Sequence, residues 1–422
     1  MKKILALIMA VIMILGVFTS CVSGDTPTLD QGKKDEQNET QDTQKGEQED
    51  KESVEEESET ESETESEKES EKESDESLSG DHICDYCGGK ISECEDLDSN
   101  GKCDLCKGDV ELPAYIRNDN KITFGSYPQS EVTDSALVST LNGKAGALPT
   151  SANAQAWMSY GYYISGSISN FMWYIDVEEG GEKYRGVYFT SYRPYFTTSA
   201  SSEENSYQDA NKYYISTVYW FKYEPISWTI LSENKADGTA LILCDMIIDS
   251  QEYYVTGSGA RTIGEKTVYS NNYAHSTIRK WLNETFYNTA FSELQKQIIL
   301  TTTVDSSAAT TASSTNQYAC ENTQDKVFLL SYQDVISSNY GFLSSDSMDD
   351  ISRKKKTTDY AQSQGAYTNT TADYEGNGWW WLRSPDDGDT VFARGVYYDG
   401  YVLHSYVYIT NRGVVPALQI RL

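Results

Sequence analysis

The chain has 422 residues and a net charge of −31, from 65 acidic and 34 basic side chains, a balance that argues against nucleic acid as a partner. About a quarter of it is too polar to bury a core, which leaves roughly 310 residues for one large domain or two closely packed ones. Much of the charge is local: residues 25–80 hold 23 acidic and 6 basic side chains.

In chain order, Met1-Lys2-Lys3 and the apolar run from Ile4 to Phe18 have the charged start and short apolar stretch of a secretory leader, too short to span a membrane as a helix. Phe18-Thr19-Ser20-Cys21 resembles the lipobox of bacterial lipoproteins, apart from Phe18 where Leu is usual. That resemblance implies residues 1–21 as signal and lipobox, an acylated Cys21 as the membrane anchor, and an extracellular location. Two acyl chains would hold a protein stably where one would not.

Residues 22–80 alternate Glu with Ser or Thr, as in Glu57-Ser58-Glu59-Thr60-Glu61-Ser62. Both faces of such a strand would be polar and self-repelling, so the segment reads as a disordered spacer. Its reach when extended is on the order of 190 Å.

Residues 81–110 carry Cys84-Asp85-Tyr86-Cys87 and Cys103-Asp104-Leu105-Cys106, the spacing of a four-thiolate structural zinc site. So few apolar residues cannot fold alone, and metal binding would supply the missing free energy. Disulfides are the alternative, although Cys94 makes the local count odd. A calcium loop at Asp96-x-Asp98-x-Asn100-Gly101 is a third reading, weakened by Lys107 where a bidentate Glu belongs. His82 is read as a bystander.

Residues 112–422 read as α+β with sheet predominating. Strands are expected at 121–124, at 171–177 paired through Gly180-Gly181 with 184–189, at 213–221, at 226–231 paired through Asp237-Gly238 with 240–248, at 298–304 and at 327–330. Two or three short helices are expected: one behind Ser276 with Ile278, Trp281 and Leu282 on one face, one behind Ser292 with Gln295 closing a capping box and Leu294, Ile298 and Ile299 on one face, and a short one after Ser331. Arg353-Lys354-Lys355-Lys356 reads as a solvated loop, with contact to an anionic wall polymer as the sharper alternative. Cys244, in Leu241-Ile242-Leu243-Cys244, reads as a buried inert thiol, and Cys320 as the more available one. His275 and His404 sit in no catalytic motif.

The C-terminal stretch is the most informative. Trp379-Trp380-Trp381-Leu382-Arg383-Ser384-Pro385 and Gly413-Val414-Val415-Pro416-Ala417-Leu418 read as core strands. The tract between them is polar and rich in Tyr, with a type I′ turn expected at Asp399-Gly400. Tyr in loops gives contact area at low entropic cost, so this tract is the expected ligand-binding display, carried by Asp386, Asp387, Asp389, Tyr397, Tyr398, Tyr401, His404 and Tyr406. The surface around Tyr160 to Tyr195 is the second place to look.

Together with Phe124-Gly125-Ser126-Tyr127-Pro128-Gln129, Tyr223-Glu224-Pro225-Ile226-Ser227-Trp228, Ser276-Thr277-Ile278-Arg279-Lys280-Trp281-Leu282-Asn283 and Lys326-Val327-Phe328-Leu329-Leu330-Ser331, these C-terminal motifs resemble an uncharacterised C-terminal domain family of Gram-positive bacterial surface proteins, many lipid-anchored. The resemblance spans 121–422 and departs at Val415, where Arg is expected. Its terminal pattern is similar to C-type-lectin-like and formylglycine-generating-enzyme-like domains, which implies a lectin-like fold with a ligand-facing loop region between the last strands. Formylglycine-generating enzymes use a cysteine pair near the chain end, and none follows Cys320 here. The expectation is therefore a lipid-anchored surface protein that binds an extracellular protein or glycan without catalysis. A structural cell-envelope protein is the alternative, and an oxidase of the formylglycine type comes third.

Overall fold

A computed structural model describes residues 115–150, 156–164, 167–190, 192, 207–255, 259–347 and 349–422, with backbone alone for 160–164 and 167–171. The leader, Cys21, the acidic spacer and the cysteine module of Cys84, Cys87, Cys103 and Cys106 lie outside the described residues.

Seven strands open the domain: β1 Ile116–Asn118, β2 Lys121–Glu131, β3 Met158–Ile164, β4 Ser167–Glu179, β5 Glu182–Phe189, β6 Val218–Asn234 and β7 Thr239–Cys244. Strand β6 is the spine of the larger sheet. One edge pairs with β2, while the other pairs first with β5 and then with β7. Two strands were expected where β6 runs unbroken through Pro225. That proline falls in the gap between the β5 and β7 ladders and beside a register shift in β2, where a missing N–H costs little. The β4–β5 hairpin closes at Gly180-Gly181 as expected, with φ of 63° and 89° at its two turn residues.

Alternation along β4, β5 and β6 builds a core on each face. One face carries Trp173, Ile175, Tyr188 and Trp220 under helix α1, Ser135–Ala145, which sequence periodicity missed because it buries only Leu141 and Ala145. Asp134 caps that helix and Trp220 Nε1 donates to Asn142 Oδ1 at 2.8 Å. The opposite face carries Met172, Val187, Phe189 and Phe221 into the main core.

The main core lies between this sheet and a second one. Beyond β7 come β8 Asp249–Ser250, the outlying hairpin β9 Ala260–Ile263 with β10 Lys266–Tyr269, and the pair β11 Thr302–Val304 with β12 Thr323–Asp325. Then follow β13 Trp380–Pro385, β14 Phe392–Val396, β15 Val402–Tyr406, β16 Gly413–Val414 and β17 Ala417–Arg421. The second sheet has the order β15-β14-β13-β16-β8. Every residue of β13 is buried, and its indoles are satisfied: Trp380 Nε1 donates to the Arg353 carbonyl at 3.1 Å and Trp381 Nε1 to the Gln251 carbonyl at 2.8 Å. The closing apolar run is core as expected, but it serves both sheets, with β16 beside β13 and, past Pro416, β17 beside β7. Val415 is fully buried.

Helices are more numerous than the two or three expected, though short. After α1 come α2 Thr277–Trp281, running through a π turn at Leu282–Phe286 into α3 Tyr287–Ala290, then α4 Glu293–Ile298, α5 Tyr332–Val335 and α6 Asp359–Ser363. Ser276, Ser292 and Ser331 cap α2, α4 and α5 as read, the last two in full capping boxes. Of the three residues expected on one face of α4, Ile299 is buried and Ile298 packs against the core, whereas Leu294 is exposed. Residues 327–330 are buried but form only an isolated bridge, Phe328 to Ala417, and the strand expected over 298–304 shrinks to β11 because α4 continues to Ile298. The fold is thus a sheet-rich α+β domain.

The basic run is not a solvated loop. Arg353 is 0 % exposed, and its guanidinium donates to the carbonyls of Gly400 at 2.7 Å, Ser345 at 2.6 Å, Ser347 at 2.7 Å and Val335 at 3.1 Å, with Asp350 at 3.2 Å as its ion pair. Lys355 is also buried, and that burial lowers its pKa. A run of like charges cannot disclose that two of its members meet carbonyls and carboxylates from distant segments.

Candidate functional site

The tract between the two core strands is itself half core. Ala393, Val396, Val402 and Val407 are buried, because β14 and β15 pair in register from Phe392 opposite Tyr406 to Val396 opposite Val402. The turn at their tip is not type I′. Only Gly400 has positive φ, at 88°, and Gly400 N donates to the Tyr397 carbonyl at 3.0 Å, which makes it a three-residue connection closed by a left-handed glycine. A side chain at Gly400 would also meet the Asp350 carbonyl at 2.6 Å.

The residues read as one display fall in two places. Near the open end of the hairpin, Asp386 is buried, and its Oδ2 forms an ion pair with Arg394 Nη2 at 2.8 Å and lies 3.1 Å from His404 Nδ1, while its Oδ1 accepts from Gly388 N at 2.9 Å. Asp386 therefore positions its neighbours. Asp387 is exposed and takes the same Arg394 Nη2 at 3.0 Å. Asp389 Oδ1 accepts from Val391 N at 3.3 Å, and its carbonyl accepts from the buried Asn271 Nδ2 at 2.9 Å, which ties the loop to the frame. Phe392 carries the rings of His404 and Tyr406 at 4.6 Å and 4.4 Å, and Tyr406 stacks on Tyr408 at 5.2 Å. His404 and Tyr406 are exposed, Tyr406 at 38 %. Tyr332 stands beside Arg394, and burial, then Asp346 as acceptor of its hydroxyl at 3.1 Å, raises its pKa.

At the tip of the hairpin, Tyr397 and Tyr398 belong to an aromatic cluster. Trp379 stacks on Tyr397 at 3.7 Å and lies 5.2 Å from Tyr367, while Tyr398 meets Tyr367 and Tyr374 at 5.8 Å and 5.3 Å. Tyr401 N donates to Asp399 Oδ1 at 3.0 Å within the turn. Arg412 reaches this cluster from the segment before β16, its guanidinium 3.6 Å over the Trp379 ring. Burial pushes its pKa down to about 9, against the opposing influence of Tyr397, Tyr207 and Tyr367. A narrow cleft of about 10 Å³, room for one water, runs between Trp379, Tyr397, His404, Ser405 and Arg412.

Sequence reasoning missed Phe392, Arg394 and Arg412. Period-two pairing across an Asp-rich loop was the available signal for the first two, and a cation directly ahead of the buried Gly413 run for the third. Cys244 is buried, with its thiol pushed up to about 12. Cys320 is largely covered, and burial raises its pKa too. His275 Nε2 faces Glu321 at 3.3 Å near the surface. Among the described residues no group of three His, Cys, Asp or Glu side chains is placed to hold a metal, and no helix is long and apolar enough to cross a membrane.

Fold and site together define a sheet-rich α+β domain whose second sheet presents a charged, aromatic face. Residues 237–422 match the model of a family described as a domain of unknown function (DUF6273). The match starts in the turn between β6 and β7, so it covers the second sheet and the Ser276, Lys326, Trp381 and Gly413 motifs and leaves β1 to β6 outside. No curated protein and no solved structure matches the chain.

Proposed function

We propose that this protein is a lipid-anchored cell-surface protein that binds an extracellular protein or glycan without catalysis, through the outer face of β14 and β15 in a lectin-like domain. The observation that carries this reading is the row Phe392, His404, Tyr406 and Tyr408, edged by Asp387 and Arg394 and backed by the buried Trp380 and Trp381. Exposed aromatics on a rigid frame supply contact area without an ordering cost on binding. The raised thiols of Cys244 and Cys320 support the reading without catalysis. In the same reading Cys21 carries the acyl anchor, residues 22–80 form the spacer, and Cys84, Cys87, Cys103 and Cys106 hold one structural zinc.

The test is a pull-down from native cell-wall material with the full chain, comparing the parent with a variant carrying Asp387→Ala, His404→Ala and Tyr406→Ala. Loss of the captured ligand at an unchanged melting temperature supports the face. Equal capture by both sinks it. Anchorage is tested by Cys21→Ala, which should release the protein from the membrane fraction or leave it unprocessed.

A further inference from the structure

Among the described residues four arginines are buried, and three of them have a carboxylate partner. Arg185 Nε meets Asp176 at 2.8 Å, Arg353 meets Asp350 at 3.2 Å, and Arg383 meets Asp334 at 2.7 Å. Arg412, 8 % exposed, has none among the described residues. Its Nε donates to Ser405 Oγ at 2.9 Å and its Nη1 to Asn411 Oδ1, both neutral acceptors, while Nη2 has no hydrogen-bond partner among the described residues. The ring of Trp379 covers one face of the guanidinium.

Burying a charge without a counter-charge is costly, and stacking on an indole with two neutral acceptors returns only part of that cost. A Leu or Met would fill the same space without it. The groups around the guanidinium are hydroxyl-bearing Tyr207, Tyr367 and Tyr397 together with Ser405, so the surroundings are neutral and able to donate. Arg412 lines the narrow cleft together with Trp379, Ser405 and His404, the last of which also stands on the proposed binding face. The cleft's volume of about 10 Å³ admits a single small atom rather than a whole ligand.

Resting on the proposed binding face, we propose that Arg412 is an oxyanion receptor, which takes at Nη2 one oxygen of a carboxylate or phosphate carried by the extracellular ligand. The planar fork suits such an oxygen, and a charge-assisted hydrogen bond in a desolvated cleft is among the stronger polar contacts. The ligand is therefore an anionic polymer or peptide rather than a neutral glycan.

The experiment follows thermal unfolding of the full chain in acetate, inorganic phosphate and chloride at equal ionic strength, for the parent, Arg412→Gln and Arg412→Lys. The parent should show a saturable rise of about 2 to 4 °C in acetate, phosphate or both relative to chloride. Both variants should lose it, since Gln removes the charge and Lys cannot lie flat on Trp379. Phosphate also stabilises by general exclusion from protein surface, an effect common to parent and variants, so the difference between them is the readout. A response to phosphate alone assigns a phosphate-bearing ligand, and one to acetate alone a carboxylate. As a measurement on the parent alone, one arginine Nε–Hε resonance should shift saturably with the active anion. A parent indifferent to anion identity by both readouts, or variants with the parent's response, would overturn the proposal. If the proposal fails while the Asp387, His404 and Tyr406 substitutions still abolish capture, the binding face stands and Arg412 is a structural stack on Trp379.

Discussion

Tyr397 lies nearly flat on Trp379, with ring centroids 3.7 Å apart and 25° between the planes. Two rings in that contact, with Arg412 over the same indole, make Tyr397 part of the framework that holds the hairpin tip. Tyr406, read from sequence as its equivalent, stands exposed at the hairpin's other end.

The first prediction separates these two tyrosines. Tyr397→Ala should lower the unfolding free energy by about 2 kcal/mol, from lost apolar contact and the ring pair. Tyr406→Ala should stay within about 0.5 kcal/mol of the parent. Urea unfolding of both variants checks this, and equal costs would refute the division between framework and face.

Trp381 is fully buried, with its indole N–H satisfied by Gln251. Trp381→Ala should open a cavity and cost about 3 to 5 kcal/mol. The measurement is the urea midpoint, where a loss below about 1 kcal/mol would show that the second sheet can collapse around the gap.

Arg353 satisfies carbonyls from three separate segments, so Arg353→Ala leaves those carbonyls buried without this donor and Asp350 without its ion pair. The expected cost is about 3 to 5 kcal/mol, together with rapid proteolysis between residues 343 and 352. Lys at this position should not rescue, because a point charge cannot span the carbonyls. Limited proteolysis with mapped cuts tells whether the loop is what comes loose.

Asp176 gives a pH dependence. Burial alone would raise its pKa, but Arg185, Lys183 and the Tyr223 hydroxyl outweigh that and hold it below the ordinary 3.8. A depressed carboxyl contributes stability that is fully present above pH 3.8 and lost as pH falls through the folded-state value. Asp176→Asn should therefore cost about 3 kcal/mol at pH 7, with the gap to the parent constant down to about pH 4 and narrowing below it. Urea unfolding between pH 2.5 and 7 measures the gap, and one that stays constant to the acid end contradicts the assignment.

The cysteine module predicts about one zinc per chain under reducing conditions, lost in the variant carrying Cys84→Ser and Cys103→Ser. Elemental analysis finding no zinc, together with mass spectrometry placing Cys84, Cys87, Cys103 and Cys106 in disulfides, would replace the metal by cross-links.

Some of this protein was legible residue by residue. The caps at Ser276, Ser292 and Ser331, the Gly180-Gly181 turn and the buried character of Trp380, Trp381 and the Gly413 run are local matters, decided by a few adjacent side chains and their backbone. What lay beyond reach was every property set by a partner far along the chain. Arg353 looks solvated until Val335 and Gly400 close on it, and the Asp386 to Arg412 tract, read as a polar display around one hairpin turn, turns Val396 and Val402 inward. Tyr397 and Tyr406 are the same residue type in the same tract, yet one meets Trp379 and the other meets solvent. Composition and periodicity determined which stretches bury, because burial follows apolar content over a few residues. Which polar side chains bury with them, and which of those are left without a counter-charge, was decided only by tertiary contacts across tens to more than a hundred residues.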